Sequence, residues 1–253
     1  MTDRPGISLA EWYPLIRHLA PTPLTTIIPS PDLVILGYGK DPHAGAVEKA
    51  EFAAAEKAMR ALAKQIKAAA AAYGYPFFLR TGHTSGKHDW DLTCHVPSAG
   101  TIPAHIRALC QSSAEADIMG LPCDVWVVRE MLETVPAFFA FRGLPITRER
   151  RFFVHDGQVT GWQPYWPPDA IREPTHPDWR GKLDYINAPI KSSEAAELTG
   201  LTERVGAVLP GYWSVDWLWT VGRGWVLTDM AWAERSFVWK ECPTAPKDLK
   251  GED

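Results

Sequence analysis

The sequence predicts an α+β protein. Two observations carry that class: one long helical pattern from about Ala44 to Tyr73, rich in Ala, Glu and Lys, and several short runs of β-branched and aromatic residues that meet at glycine-containing turns. The clearest of those runs are Trp213–Val221 and Trp225–Trp232, separated by Gly222-Arg223-Gly224.

In chain order, Leu9–Leu19 reads as a short amphipathic helix. Prolines 21, 23, 29 and 31 then mark a loop, and the apolar run Leu33–Gly37 reads as a buried strand. In the long helix Glu56 and Arg60 stand at i,i+4, and Gly74 follows as a stop. Next come a strand at Pro76–Leu79, a polar loop at Thr81–Asp89, a helix near Pro103–Ala114 and a buried strand at Val125–Val128. Phe138–Arg142 and Arg150–Val154 read as strands. The second turns at His155-Asp156-Gly157-Gln158 into Val159–Tyr165, because Asp-Gly suits a tight turn with two positive φ angles. Residues 166–189 are Pro-rich and expected to be irregular, Ser192–Val208 returns as a helix, and a polar, frayed tail is expected from Pro243.

Composition bounds the function. A chain of 253 residues buries a full core without disulfide or metal staples, and 46% apolar with 22% charged residues is ordinary for a globular protein. A formal charge of −4 leaves no polycationic footprint for nucleic acid. The four cysteines form no CxxC pair, so a reducing cytoplasm is expected rather than a zinc ribbon or redox motif. No run approaches the ~20 apolar residues needed to span a bilayer, so no membrane partner is expected.

The most chemically suggestive pair is Asp216 and Asp229, thirteen residues apart on facing strands of the hairpin. An even loop puts them on one face, and a three-residue loop puts them on opposite faces. Two carboxylates sharing a buried face repel and call for a cation, and hard oxygen ligands suit Mg²⁺. The plain alternative is two solvated strand acids.

A second candidate is Arg80-Thr81-Gly82-His83-Thr84-Ser85-Gly86-Lys87-His88-Asp89, a loop of small and cationic residues directly after a strand. Backbone amides there can face phosphate oxygens while Arg80 and Lys87 neutralise them. It is not a P-loop, since Gly82 and Gly86 are one residue too close and His88 replaces the magnesium-binding hydroxyl. A solvated surface turn is the alternative. A metal cluster of His83, His88, Asp89, Asp91 and His95 fits no familiar ligand spacing.

Four features in order resemble the divergent ATP-grasp enzymes grouped with the cell division cycle 123 proteins and their phage and bacterial relatives. They are Phe77–Arg80 with Ser85-Gly86-Lys87, then Val127–Met131, then Glu149–Val154, and finally Asp216 with Asp229-Met230-Ala231. The resemblance covers roughly residues 76–240 and implies two sheet-and-helix lobes that clamp a nucleotide. It implies ATP binding by Arg80, Ser85, Lys87, Arg129, Glu130, Met131 and Arg151, with the adenine held at the Val127–Met131 hinge. Lys87 and Arg151 are then catalytic, and Asp216 and Asp229 hold Mg²⁺. Ala231 departs from the family's Asp-x-Asn and cannot ligate, so a second ion is lost or held otherwise, Glu234 being one candidate.

The implied chemistry is ATP-dependent ligation of a carboxylate to an amine through an acyl phosphate, on substrates that include a protein or peptide. Two alternatives stand beside it. One is an ATP-binding assembly factor without ligase chemistry, because the cell division cycle 123 proteins bind ATP while acting on a translation factor. The other is a binding module that presents the aromatic stretch Trp162–Trp179. The expected organisation is a helical region at 1–75, one lobe at 76–130, a second lobe at 131–242 and a tail at 243–253.

Overall fold

A computed structural model describes residues 6–37, 45–118, 121 and 123–250. Residue 44, at the edge of the expected long helix, and residues 251–253 of the expected tail lie outside the described residues. In chain order the elements are α1 (Leu9–Ile16), β1 (Thr25–Pro29), α2 (Val34–Gly37), α3 (Ala46–Ala70), β2 (Phe77–Thr81), β3 (His95–Val96), α4 (Ile102–Ile118) and β4 (Val125–Glu130). They continue with β5 (Phe138–Ala140), β6 (Leu144–Ile146), β7 (Glu149–His155), β8 (Gln158–Pro164), α5 (Trp179–Asn187), α6 (Ser192–Gly206), β9 (Tyr212–Thr220) and β10 (Gly224–Trp232).

These elements fall into two compact units. One holds Leu24–Met131 with Phe141–Leu144; the other holds the described residues up to Pro23, Leu132–Ala140, and the described residues from Pro145 onward. The expected separate helical region at 1–75 is therefore divided between them. Its first part, α1, belongs with β10, where the Leu227 N–H donates to the Pro21 carbonyl at 2.8 Å and Arg223 Nη2 to Thr22 at 2.8 Å. That cover occupies part of the outer edge of β10, which would otherwise offer unpaired backbone groups.

In the β1–β4 unit the antiparallel sheet has the order β1-β4-β2-β3. Strand alternation sends Phe77, Leu79, Trp126 and Val128 to one face, into a core with Met59, Leu62 and Ile66 of α3 and Ile102, Ile106 and Leu109 of α4. Ala55, Met59, Leu62, Ile66 and Ala70 make the buried stripe of α3 at three- and four-residue spacing, which is why this Ala-rich segment is held as a helix. The opposite sheet face carries Phe78, Arg80, Val127 and Arg129, in the register Phe78↔Arg129 and Arg80↔Val127.

Here the sequence expectation needs one exchange. Leu33–Gly37 is not a strand: Leu33 and Leu36 bury three residues apart on a short helical turn, and the Leu36 N–H donates to the Leu33 carbonyl at 2.9 Å. The strand is instead the β-branched run Thr25–Pro29, inside the expected loop, and it lies at the sheet edge, where a terminal proline is tolerated.

In the other unit the four-stranded antiparallel sheet has the order β10-β9-β7-β8. Phe152, Val154, Trp213, Val215 and Trp217 alternate to one face, and the Trp217 indole N–H reaches Thr202 of α6 at 3.1 Å. The β7–β8 turn has φ of +45° at Asp156 and +82° at Gly157, as Asp-Gly predicted. Phe138–Arg142 stops being a strand at Ala140, because Phe141, Arg142 and Gly143 all take positive φ. The region expected to be irregular contains α5, whose Leu183 and Ile186 are buried at helical spacing. Nor is the tail frayed over residues 243–250. The Trp162 N–H donates to Thr244 at 2.9 Å, the Thr244 hydroxyl returns to Trp162 at 2.7 Å, and Ala245 is buried.

Candidate functional site

The acid pair is built by register. Thr220↔Gly224 closes a three-residue loop, Val221-Gly222-Arg223, and pairing runs regularly to Leu227↔Trp217. Continued unchanged, it would set Thr228 against Asp216 and turn Asp229 to the other face. A β-bulge between Leu227 and Asp229 absorbs Thr228, so Asp229 pairs directly with Asp216. The expectation that only an even loop could join the two acids is thus corrected: the loop is odd, and the bulge restores the face. The Thr228 hydroxyl donates to the Asp216 carbonyl at 3.3 Å within the bulge.

Arg151 and Gln163 extend the pair. The pairings Gln163↔Arg151, Arg151↔Asp216 and Asp216↔Asp229 place four polar residues in one row across β8, β7, β9 and β10, on one face. Asp216 is 6% exposed, and Arg151 donates Nε to its Oδ1 at 2.8 Å and Nη2 to its Oδ2 at 2.9 Å. Arg151 also lies over the Tyr165 ring at 4.8 Å, and its Nη1 reaches the Phe237 carbonyl at 3.4 Å. Burial alone would lower the pKa of Arg151. The charge and hydrogen bonds of Asp216, helped by Tyr165 and Asp229, outweigh it and hold that pKa above the ordinary arginine value.

Gln163 is fully buried. Its amide donates to the Phe237 carbonyl at 3.1 Å and accepts from the Trp239 N–H at 2.8 Å, pinning residues 237–239 beside Arg151. Sequence reasoning missed Gln163, Tyr165 and Thr228. The available signal was a polar residue at an inward position of a strand otherwise rich in aromatic and small residues.

Glu149, two residues before Arg151, is 9% exposed and accepts from the Trp166 indole at 2.7 Å. This contact draws Trp166 inward. With Trp166 buried and Trp162 and Trp179 half-buried, the aromatic stretch Trp162–Trp179 is not the exposed patch that a binding module would present.

The row brings two carboxylates and one guanidinium onto one face of the sheet. Mg²⁺ is typically held by one or two carboxylates, with water and phosphate oxygens completing its octahedron. Asp216 and Asp229 fit one such ion. They do not make a larger cage: among the described residues no three His, Cys, Asp or Glu side chains gather as a metal cluster, and Ala231 offers no donor.

The other predicted residues lie in the β1–β4 unit. Arg80 and Arg129 are 4% and 3% exposed on the sheet face away from the helices; Arg80 Nε donates to Thr81 at 3.0 Å and Arg129 Nε to the Thr25 hydroxyl at 3.1 Å. Half-buried Ser85 and Lys87 lie in the loop after β2, with Lys87 opening a single 3-10 turn to Asp89. Glu130 ends β4 with its N–H donating to the Leu24 carbonyl at 3.0 Å and its carboxylate accepting from the Leu24 N–H at 2.8 Å. Glu130 is thereby tied to β1, and Met131 is the first residue past the strand. The histidines of the loop are occupied separately: His88 stacks on Phe141 at 4.7 Å and His95 on Trp90 at 5.4 Å.

No family model and no curated protein matches this sequence. Solved structures do. Cdc123 from Schizosaccharomyces pombe, C-terminally truncated, superposes with a TM-score of 0.54 at 12% identity, over 89% of this chain and 82% of that one. An ADP complex of PurK, an N5-carboxyaminoimidazole ribonucleotide synthetase, gives 0.48 at 10% identity, over 89% of this chain and 44% of that one. A RimK-domain ATP-grasp protein from Sphaerobacter thermophilus gives 0.39 at 16%, over 86% and 57%. The chain has an α+β, ATP-grasp-like fold and is similar in structure to Cdc123.

Proposed function

We propose that this chain is an ATP- and Mg²⁺-dependent ligase that joins a carboxylate to an amine. The observation that carries the reading is the row Arg151–Asp216–Asp229, two opposed acids of which one is clamped by a guanidinium, on a fold of ATP-grasp type. Magnesium bound there would neutralise the triphosphate and polarise its terminal phosphoryl group. Arg151 orients Asp216 through its two hydrogen bonds. Lys87, Arg80 and Arg129 supply positive charge for the phosphates, with Ser85 as a hydroxyl donor beside Lys87 and the Glu130-Met131 segment offered to the adenine.

In the reaction, a carboxylate oxygen of the substrate attacks the γ-phosphorus and ADP leaves. The amine nitrogen then attacks the acyl carbon, phosphate leaves, and the amine loses its proton. No protein nucleophile is needed, since positioning and electrostatics carry the catalysis. A carboxylate on a protein or peptide suits the same chemistry. A second reading, an ATP-binding assembly factor without ligase chemistry, is favoured by the likeness to Cdc123, whose family, by the resemblance above, acts on a translation factor.

Calorimetry with ATP and Mg²⁺ tests the binding shared by both readings. Wild type should bind, and Asp216→Ala and Asp229→Ala should each weaken binding by about tenfold or more. No binding by wild type, or unchanged affinity in both variants, overturns the assignment. An amide product with stoichiometric ADP from a panel of carboxylates and amines supports the ligase. A stable protein partner without ADP release supports the assembly factor.

A further inference from the structure

The loop that carries Lys87 is gripped from two sides, and one grip comes from a distant piece of chain. Phe141, Arg142 and Gly143 take φ of +46°, +60° and +100° in succession. The first two are side-chain-bearing residues in a region that crowds their Cβ atoms, and such backbone persists only where its surroundings over-determine it. Those surroundings are the loop itself. Arg142 donates Nε and Nη2 to the two Asp91 oxygens at 2.7 and 3.2 Å, the Phe141 ring stacks on His88 at 4.7 Å and 20°, and the Trp90 N–H donates to the Phe141 carbonyl at 3.4 Å.

On its other side the loop is held by buried groups. The Thr93 hydroxyl lies 2.5 Å from the Gly86 carbonyl and 2.8 Å from that of Asp89, and His105 of α4 donates Nδ1–H to the Thr93 carbonyl at 2.8 Å. The Arg142–Asp91 pair is half exposed, and exposed ion pairs add little stability. Its bidentate geometry fixes position instead.

We propose that the tip Phe141–Leu144 is a positioning clamp for residues 86–93, with Arg142–Asp91 as its fastening, and that it sets the placement of Lys87 toward an anionic ligand. The clamp is read from contacts alone. Its consequence for ATP rests on the function proposed above.

Hydrogen exchange of the unliganded protein reads the clamp directly. In Arg142→Ala the amides of Asp89, Leu92 and Thr93, which close the turn, should exchange about tenfold faster while the thermal midpoint hardly moves. The exchanged pair Asp91→Arg with Arg142→Asp should recover most of the protection. Unchanged exchange in Arg142→Ala, or no recovery in the exchanged pair, overturns the clamp. In calorimetry with ATP and Mg²⁺ the Arg142→Ala affinity should fall about tenfold and return in the exchanged pair. If wild type binds ATP and Arg142→Ala binds equally well with a loosened loop, the placement of Lys87 is overturned. If wild type binds no ATP, the nucleotide reading fails, and the exchange data still decide the clamp.

Discussion

Arg151 and Asp216 face each other across β7 and β9 and are joined by two parallel hydrogen bonds, Nε to Oδ1 and Nη2 to Oδ2, at 2.8 and 2.9 Å. Because Asp216 is buried, removing its partner leaves a carboxylate with neither water nor counter-charge. Arg151→Ala should lower unfolding stability by about 3–5 kcal/mol in urea titration, more than the loss of an exposed ion pair. Arg151→Lys keeps the charge but not the fork, and should fall between. With its folded pKa raised, the stability Arg151 adds is fully present below the ordinary arginine value and is lost only as pH rises through the folded value. The difference between wild type and Arg151→Ala should therefore stay flat between neutral and mildly alkaline pH.

Arg150, on the opposite face, has a structural task. It is fully buried and donates to the carbonyls of Glu149, Ile186 and Ala188 at 2.8, 3.0 and 2.7 Å, closing the end of α5, while burial, and then Arg148, push its pKa down to about 10. Arg150→Met should cost about 2–4 kcal/mol, since carbonyls lose their donor inside the protein. Unfolding curves would show the loss, and a value within a few tenths of wild type would refute it.

The C-terminal segment depends on a bare backbone at Gly161. A methyl group there would sit 2.7 Å from both Pro246 N and Thr244 O, which are backbone atoms without a rotamer to change. Gly161→Ala should displace the segment and cost about 1–3 kcal/mol. Limited trypsin digestion should then release the end at Lys247 or Lys250 faster than in wild type.

Acid should weaken the β1–β4 unit. His88, His95 and His105 all have pKa values below the ordinary 6.5, chiefly through burial. Lys87 adds to the effect at His88 and His105 adds to it at His95, while Asp89 opposes it at His88. Asp91 opposes it at His95 and His105, and the carbonyls facing His105 do so as well. Each folded histidine binds its proton less readily than in the unfolded chain. The associated stability is present above 6.5 and is lost as pH falls below it. Thermal midpoints should drop between pH 7 and pH 5, and His105→Gln should make that drop smaller.

Much of this architecture was legible because local signals agreed with the global packing. The α3 stripe, the Asp-Gly turn and the paired Trp-rich strands needed no distant information. Thr25–Pro29 and Leu33–Gly37 were exchanged because both are short apolar runs among prolines, and only the sheet edge beside β4 decides which one extends. Helix α5 was hidden by its Pro-rich approach, and its anchor, Arg150, lies far away in sequence. At the candidate site, residue types pointed to Asp216 and Asp229 and the family resemblance to Arg151, but Gln163 and Tyr165 enter through cross-strand geometry that spacing alone does not encode.

The Thr228 bulge works as a frameshift suppressor. A strand has two sides, so membership of a side is a matter of parity, and each extra residue inverts everything downstream. The turn Val221-Gly222-Arg223 contributes one inversion and Thr228 contributes the second, bringing Asp229 back in phase with Asp216. Shifting the strand pairing at either place alone would separate the acids without changing a single side chain, whereas matched shifts at both would leave them together.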